Sequence, residues 1–365
     1  MVAFDDRDRE LMRRALELAQ RGLFTTTPNP RVGCVIARDG RIIGEGWHER
    51  TGEAHAEVRA LADAAQRGES VRGATVYVTL EPCNHHGRTP PCTDALLAAG
   101  VGRVIAAMAD PYPPASGGAA RLAAAGIALA TGLLESEARE LNVGWIKRLR
   151  DARPWVRVKA AASLDGRTAL AGGESQWITG ESARADGHRW RARSCAVLTG
   201  IGTVLHDDPQ LTVRAVATTR QPLKVVVDRY GELPADARLL ASGQVVIFSA
   251  EAPRAAWPAN VESIVLPGRD GKVDLAAMLG RLGEREINEL HVEAGARLNG
   301  ALLAARLVDE LLVYVAPCLF GDPARGMFEL PAPLARLADR TALTIASIER
   351  VGEDWRILAR VNAPG

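Results

Sequence analysis

The sequence lacks several features that mark large classes of protein. No run of apolar residues approaches the roughly 18 that a membrane-spanning helix needs, so we expect no membrane insertion. Residues 1–14 are charged and contain no apolar signal core, which predicts a protein that is not exported. Aromatic residues make up only 4% of the chain, and the formal net charge is +1. Such a composition gives no electrostatic reason to expect a nucleic-acid partner.

Cysteine is also scarce. The five cysteines, at positions 34, 83, 92, 195 and 318, are an odd number spread over 365 residues. Small secreted domains instead carry a dense set of cysteines paired in disulfides. The distribution therefore predicts a protein of the reducing cytoplasm.

One group of residues has the composition and spacing of a metal site. His55-Ala56-Glu57 is followed by Glu81-Pro82-Cys83 and then by Cys92. Hydrolytic zinc sites take three protein ligands and leave a fourth position for water, whose pKa the metal lowers. We predict His55, Cys83 and Cys92 as the ligands. Glu57 lies too close to His55 in sequence to share the ion comfortably, and is predicted to be the general acid/base.

This order of residues is typical of zinc-dependent nucleobase deaminases, although eight residues separate the two cysteines where the general signature has two. Two alternatives stay open at this point. A zinc deaminase of nucleosides or nucleic acids would share the motif, but a nucleic-acid enzyme should add a basic, aromatic groove. A zinc-stabilised scaffold without catalysis would need neither Glu57 nor an open coordination position.

The chain is longer than a single hydrophobic core usually supports. Its length therefore predicts two domains of roughly 150 to 200 residues each. Around residues 148–154 the composition turns to Arg, Asp and Pro without an apolar period, so we place the boundary there and predict domains over 1–151 and 152–365.

Apolar periodicity predicts alternating helices and strands in both domains, which is an α/β fold. The helices are predicted at 5–20, 55–65, 92–99, 119–125, 135–150, 181–193, 274–282 and 298–305. The strands are predicted at 32–37, 41–43, 74–80, 104–108, 127–130, 156–162, 196–199, 224–228, 245–249, 264–266, 289–293 and 311–316.

Two turns in the second domain are candidates for phosphate binding. Residues 199–203 follow a strand, and residues 292–300 turn through glycine into a helix start. Small residues at such turns let backbone N–H groups approach a phosphate. The first turn lacks the third glycine of the dinucleotide fingerprint, because position 205 is Leu, and the second is slightly better explained as an ordinary strand-to-helix turn. These residues alone predict only a phosphate-bearing ligand.

Short motifs throughout the chain follow the order found in one family. They are residues 27–33, 55–58, 81–83 with 91–92, 162–168, 175–179, 207–214 and 292–295. Together they resemble the bifunctional deaminase/reductase family of riboflavin biosynthesis, including its spacing between the two cysteines. The resemblance covers nearly the whole chain.

The resemblance implies a cytidine-deaminase-like α/β/α domain followed by a dihydrofolate-reductase-like α/β domain. The first would deaminate 2,5-diamino-6-(5-phosphoribosylamino)pyrimidin-4(3H)-one with one Zn²⁺. The second would use NADPH to reduce the ribosyl group, which gives 5-amino-6-(5-phosphoribitylamino)uracil. The family is compatible with homo-oligomers, although no segment of this sequence marks an interface.

The resemblance also implies individual contacts. For the deaminase substrate they are Asn29, His48 and Arg88, with Arg88 suited to the phosphate. For NADPH they are Ala161, Trp177, Thr203, Asp207 and the turn Gly295, Ala296, Arg297, Leu298, Asn299, Gly300 and Ala301. For the phosphoribosyl substrate of the reductase they are Ser175, Arg191, Leu211, Arg214 and Glu293. Without the family, Trp177 reads equally as a core residue, Arg191 as a solvated one and Leu211 as a packing residue. Residues 110–118 depart from the family's pattern, so the shape of that loop is not predicted.

Overall fold

The computed structural model of the chain describes residues 4–87, 90–252 and 257–362. The chain divides into two compact units, Met1–Asp151 and Ala152–Gly365. Within the described ranges, no helix is both long and apolar enough to cross a bilayer.

The first unit is a sheet covered by helices. Its five strands lie in the order β2-β1-β3-β4-β5; β1 is antiparallel to both of its neighbours, and β3, β4 and β5 are parallel. The elements are α1 Asp6–Arg21, β1 Gly33–Arg38, β2 Arg41–Trp47, α2 Ala56–Gln66, β3 Thr75–Val78, α3 Cys92–Ala99, β4 Arg103–Ala106, α4 Gly118–Ala124, β5 Ala128–Thr131, α5 Glu135–Leu141 and α6 Val143–Asp151.

Local chemistry explains the start of this unit. The Asp5 carboxylate accepts the Asp8 N–H at 2.7 Å and the Asp8 carboxylate accepts the Asp5 N–H, a capping box that starts α1. Asp39 and Gly40 both have positive φ, 49° and 75°, as a tight two-residue hairpin requires. The predicted first helix and the predicted strands at 32–37 and 41–43 are therefore confirmed.

The single helix predicted at 135–150 is wrong, because the chain breaks at Asn142 into α5 and α6. The Asn142 side chain accepts the Arg31 N–H at 2.8 Å and donates to the Arg31 carbonyl at 3.0 Å. A side chain that pairs with a distant backbone in this way competes with a continuous helix.

The second unit is built on a larger sheet in the order β11-β10-β9-β8-β12-β6-β13-β16-β15, with β14 and β7 forming a separate pair. Strands β11 to β13 in this order are parallel, and the β15–β16 hairpin adds to β13 antiparallel. The elements are β6 Trp155–Ser163, β7 Arg167–Ala169, α7 Glu181–Arg193, β8 Ala196–Gly200, α8 Ile201–Asp207, β9 Leu223–Val227, β10 Val245–Ser249, β11 Val261–Val265, α9 Leu275–Glu284, β12 Glu289–Val292, α10 Ala296–Ala304, β13 Glu310–Ala316, β14 Arg325–Gly326, β15 Leu343–Val351 and β16 Asp354–Val361, with short 3-10 turns at Arg238–Ala241 and Leu337–Asp339.

The structure differs from the prediction for this unit in three elements. The strand predicted at 264–266 begins earlier, as β11. The segment that forms α8 is predicted from the sequence only as part of the glycine-containing turn at 199–203. The β15–β16 hairpin was not predicted, because most of β15 is exposed and a bulge between Ile345 and Ser347 interrupts its alternation.

The sheet order determines where ligands can bind. Strands β8 and β12 are adjacent and parallel, so their carboxyl ends lead side by side into α8 and α10. In open parallel sheets, ligands bind outside the carboxyl ends of the strands. The carboxyl end of β6 lies next to that of β12 and borders the same edge.

Candidate active sites

Three metal-ligand side chains of the first unit meet at one point. His55 immediately precedes α2, Cys83 follows the end of β3, and Cys92 is the first residue of α3. Their ligand atoms all lie within 4.8 Å of one another. One nitrogen and two sulfur donors are a set that zinc prefers in proteins, so these residues fit a zinc ion.

The hydrogen bonds among these side chains favour a thiolate. The Cys83 Sγ accepts the Cys92 backbone N–H at 3.3 Å, and His55 Nδ1 lies 3.5 Å from Cys83 Sγ and 3.2 Å from Cys92 Sγ. A hydrogen bond from the Cys92 thiol, aided by His55, lowers the pKa of Cys83 to about 4. The thiolate is the form of cysteine that binds metals.

Glu57 lies in the first turn of α2 and is 3% exposed. Burial raises the pKa of this carboxyl group and the nearby Cys83 adds to the effect, while His55 opposes it. A buried carboxyl group beside a hydrolytic metal site can take up and release a proton near neutral pH. The geometry is thus compatible with the acid/base role predicted for Glu57.

Asn29 and His48 lie against the same cluster. His48 is buried, and its ring meets the His55 ring edge-on with centroids 5.3 Å apart. The Asn29 amide donates to His48 Nε2 at 3.1 Å, and His48 Nδ1 donates to the Ala54 carbonyl at 3.3 Å, which defines a neutral tautomer. Burial lowers the pKa of His48 and so favours that neutral form. The third predicted substrate contact, Arg88, lies outside the described residues.

The loop at 110–118, whose shape the sequence left open, packs over the two thiols. Ala115 is buried against Cys83 and Cys92, and its carbonyl accepts the Asn84 N–H at 3.0 Å. The Glu81 carboxylate accepts N–H groups from both ends of the segment, from Asp110 at 3.2 Å and from Ala119 at 2.9 Å. Glu81 was not predicted as a site residue, and its carboxylate holds the 110–118 loop in place.

In the second unit, Arg191 of α7 and Glu293 at the end of β12 form a two-pronged ion pair. Arg191 Nε donates to Glu293 Oε1 at 2.8 Å and Arg191 Nη2 donates to Oε2 at 2.7 Å, while Nη1 donates to the Thr212 carbonyl at 2.6 Å. Although burial opposes the charge, Arg191 and His291 hold the pKa of Glu293 well below its usual range. Two residues predicted as substrate contacts therefore meet.

Arg214 lies near this pair and contacts a histidine of α7. The Arg214 backbone N–H donates to His188 Nδ1 at 3.4 Å, and its guanidinium donates to Gln210 and Thr212. Burial lowers the pKa of His188 to about 4, and Arg191 and Arg214 contribute to the shift. The neutral histidine leaves the positive charge of this surface to the two arginines.

Lys159 of β6 is a site residue that the sequence analysis missed. Val158 pairs in register with Val292, which places Lys159 beside Glu293 on the neighbouring strand. Burial lowers the pKa of Lys159, while Glu293 opposes that shift. The available signal was the pair Arg157 and Lys159, two cations on the same face of an otherwise apolar strand.

The predicted dinucleotide turn lies where β8 and β12 end. A methyl group at Gly295 would come 4.0 Å from Thr203 Oγ1, and one at Gly200 would touch the Leu298 side chain at 3.4 Å. No side chain caps the start of α10. Its first N–H groups thus face a site lined by small residues, a suitable cradle for a pyrophosphate.

Two predicted dinucleotide contacts lie on neighbouring segments. The Trp177 indole is 71% exposed, with the Arg184 guanidinium 4.7 Å from the ring centre. Gln176 donates to the Asp207 carboxylate at 3.2 Å, which links the segment before Trp177 to the end of α8. An exposed indole of this kind offers a face for a flat ring to stack on.

The other predicted contacts differ in their exposure. Asn299 is buried and donates to the Ala294 and Met327 carbonyls, and a methyl group at Gly300 would collide with the Glu329 carbonyl. Leu211 is buried with φ 53°. The side chains of Ala161, Ser175, Ala296 and Ala301 are half-buried, and that of Arg297 is exposed beside Glu329.

Comparison with known proteins shows a family match for each of the two units. Residues 5–108 match the family described as cytidine and deoxycytidylate deaminase zinc-binding region, and residues 154–357 match the RibD C-terminal domain. The chain is 50% identical over 361 residues to riboflavin biosynthesis protein RibD of Escherichia coli strain K12, covering 95% of this chain and 97% of that protein. It is 45% identical to the protein of the same name from Haemophilus influenzae, covering 98% of both chains.

Solved structures agree with this. Acinetobacter baumannii RibD, form 1, superposes with a TM-score of 0.88 at 41% identity, covering 98% of this chain and 99% of that one. A diaminohydroxyphosphoribosylaminopyrimidine deaminase/5-amino-6-(5-phosphoribosylamino)uracil reductase from Thermotoga maritima superposes with a TM-score of 0.89 at 35% identity, with the same coverage.

Proposed function

Because the chain belongs to the RibD family of bifunctional deaminase/reductases of riboflavin biosynthesis, we propose that residues 1–151 carry the deamination and residues 152–365 the reduction. The protein is a zinc-dependent deaminase and an NADPH-dependent reductase. By analogy with the Thermotoga maritima protein, the deaminase substrate is the diaminopyrimidine 2,5-diamino-6-(5-phosphoribosylamino)pyrimidin-4(3H)-one and the reductase acts on its deaminated product. The single observation that carries the proposal is the His55, Cys83 and Cys92 cluster with Glu57 in the first turn of α2.

In the deaminase unit, His55, Cys83 and Cys92 would hold the zinc ion. When bound, zinc supplies a Lewis acid that lowers the pKa of a water molecule toward neutrality. Glu57 would take the proton from that water and deliver it to the departing amino group, since its buried carboxyl group has a raised pKa.

Asn29 and His48 would orient the pyrimidine. The hydrogen bond between them fixes both side chains, and a neutral His48 places no positive charge beside the amino group that leaves. Arg88 would bind the substrate's phosphate.

In the reductase unit, the turn from Gly295 into α10 would hold the NADPH pyrophosphate, and Trp177 would flank the cofactor. The fit rests on the small residues of the turn and on the uncapped helix start. When bound, NADPH supplies the two electrons of the reduction.

The protein's part in that reduction is to bind the ribosyl phosphate and supply a proton. Arg191 and Arg214 carry the positive charge that a phosphate needs, and Glu293 can accept hydrogen bonds from sugar hydroxyls. Lys159 is the ammonium group beside Glu293, and because burial weakens its hold on the proton, we assign it as the donor.

The setting of the enzyme follows from its chemistry. We propose that it acts on small molecules in the cytoplasm, without a nucleic-acid partner, as a homo-oligomer. None of the described cysteines forms a disulfide, which supports a reducing compartment.

The test is to incubate purified protein with the diaminopyrimidine phosphoribosyl compound, with and without NADPH. We expect ammonia release in both cases and NADPH oxidation only after deamination. Ammonia release without any later NADPH oxidation would leave the deaminase proposal standing and overturn the reductase one.

A further inference from the structure

Three titratable side chains occupy one face of β12 and its end. Alternate residues of a strand point to the same side, so Glu289, His291 and Glu293 form a row. His291 is the middle member, and its side chain is 0% exposed. The proposed function gives a role to Glu293 but none to His291.

His291 separates two charged groups. On one side, Arg157 of β6 is its register partner and is paired with Glu289 at 3.1 Å and with Glu310. On the other side lies the Arg191–Glu293 pair. The register partner of His291 on β8 is Val197, which carries no charge. The further cations near Glu293 are Lys159 of β6, Arg214 and, when protonated, His188 of α7.

His291 contacts the Glu293 carboxylate from the protein interior. Its Nε2 lies 3.4 Å from Glu293 Oε1, and neither ring nitrogen forms a well-aligned hydrogen bond with any described residue. Burial lowers the pKa of His291, and the neighbouring Arg157 and Arg191 guanidinium groups add to the effect, although Glu293 opposes it. A neutral imidazole keeps one N–H, and Glu293 Oε1 is the acceptor nearest to its Nε2.

We propose that His291 is a positioning residue of the reductase site, which fixes the orientation of the Glu293 carboxylate by contacting Oε1 from the interior. This inference rests on the proposed reductase function.

The physical reason lies in what Glu293 must do. Arg191 donates to both carboxylate oxygens, and His291 adds a third contact on the carboxylate, at Oε1. Held by two different side chains, the carboxylate keeps one orientation. His291 is also the register partner of Arg157 and precedes Glu293 by two residues, so its imidazole lies between the Arg157 ion pairs and Glu293 along the strand.

The test uses the full-length protein with zinc bound, the deaminated substrate and NADPH. His291→Phe keeps a ring of similar shape but removes the N–H, and His291→Gln restores an N–H donor. Leu290→Ala is the matched control, because Leu290 is also fully buried in β12 but points to the opposite face. Ammonia release by the first unit and the melting temperature are measured for every variant.

We expect His291→Phe to lower kcat for reduction by roughly 10- to 100-fold, as small misplacements of a reacting group do, with KM for NADPH nearly unchanged. His291→Gln should recover most of that loss, and deamination should be normal in both variants. The inference is overturned if wild-type protein reduces the substrate and His291→Phe does so within about twofold of it. It is also overturned if His291→Gln and Leu290→Ala lose as much kcat as His291→Phe. Failure of the wild-type protein to reduce the substrate would instead refute the proposed function.

Discussion

Arg31 and Asn142 are joined by two hydrogen bonds of the kind that two strands form, although 111 residues separate them in sequence. The Asn142 amide thereby closes the first unit, because it ties the segment before β1 to the break between α5 and α6. Arg31 also donates to the Leu141 carbonyl at 2.8 Å. The end of the first unit thus anchors the segment that carries the nearby Asn29.

Replacement of this asparagine should destabilise the first unit. Asn142→Leu removes both hydrogen bonds between the Asn142 side chain and the buried Arg31 backbone, and the loss of a partner by a buried polar group costs about 1–3 kcal/mol. Chemical denaturation followed by circular dichroism measures the loss. Ser136→Ala, on the exposed start of α5, is the control and should change stability by less than about 0.5 kcal/mol. Equal stabilities of the Leu variant and the wild type would show that the two hydrogen bonds contribute nothing.

Zinc binding should depend on the two thiols. A Cys83→Ala, Cys92→Ala double variant leaves one of the three clustered donors, so we expect the purified protein to retain no stoichiometric zinc, whereas wild type binds one ion per chain. Elemental analysis of both purified proteins measures their zinc content. Cys318→Ala, which alters a half-buried thiol of the other unit, should keep its zinc. Full zinc content in the double variant would contradict the ligand assignment.

Glu57→Gln should separate metal binding from catalysis. The amide keeps the shape of the side chain but cannot accept the proton, so deamination should fall by about two to four orders of magnitude. Zinc content should be unchanged, and reduction of supplied deaminated substrate should continue. Near-normal ammonia release by this variant would rule out the acid/base role.

Replacement of Arg191 should impair reduction without affecting deamination. Arg191→Lys keeps the charge but loses the two-pronged contact with Glu293, and we expect kcat/KM for reduction to fall at least about tenfold. Ammonia release should be unaffected. Arg189→Lys, an exposed change on the same helix, is the control. If both lysine variants reduced the substrate equally well, the Arg191–Glu293 pair would have no part in the reaction.

His188 should make the second unit sensitive to acid. Its folded-state pKa, about 4, lies below the ordinary 6.5, so the unfolded chain binds more protons between these values. Stability then rises with pH through this window, and the contribution is lost as pH falls from about 6.5 toward 4. His188→Gln removes the titration. The stability difference between variant and wild type, measured by urea unfolding, should shift in favour of the variant as pH falls, and a pH-independent difference would refute this.

The sequence was sufficient for features that rest on local chemistry. The Asp5 capping box, the Asp39–Gly40 turn and the start of α3 at Cys92 each depend on a few neighbouring residues, and each appears in the structure. The break at Asn142 and the β15–β16 hairpin depend on partners far along the chain. Periodicity within a short window carries no information about such partners.

The same distinction applies to the sites. His55, Glu57, Cys83 and Cys92 could be named because their spacing follows from metal chemistry. Lys159 and His291 could not, because each acquires its neighbours only when β6 and β12 pair in register. The buried position of Asn299 and the close approach of Gly300 to Glu329 likewise arise from tertiary packing.

The way the two thiols are held has a consequence for how this enzyme can change. Cys83 follows the end of β3 and accepts the Cys92 N–H, and Cys92 is the first residue of α3, so the two ligands are held by regular elements and by each other. The segment that joins them carries Arg88, the predicted contact of the substrate's phosphate. A substitution at Arg88 would therefore change a substrate contact while all three metal ligands are kept.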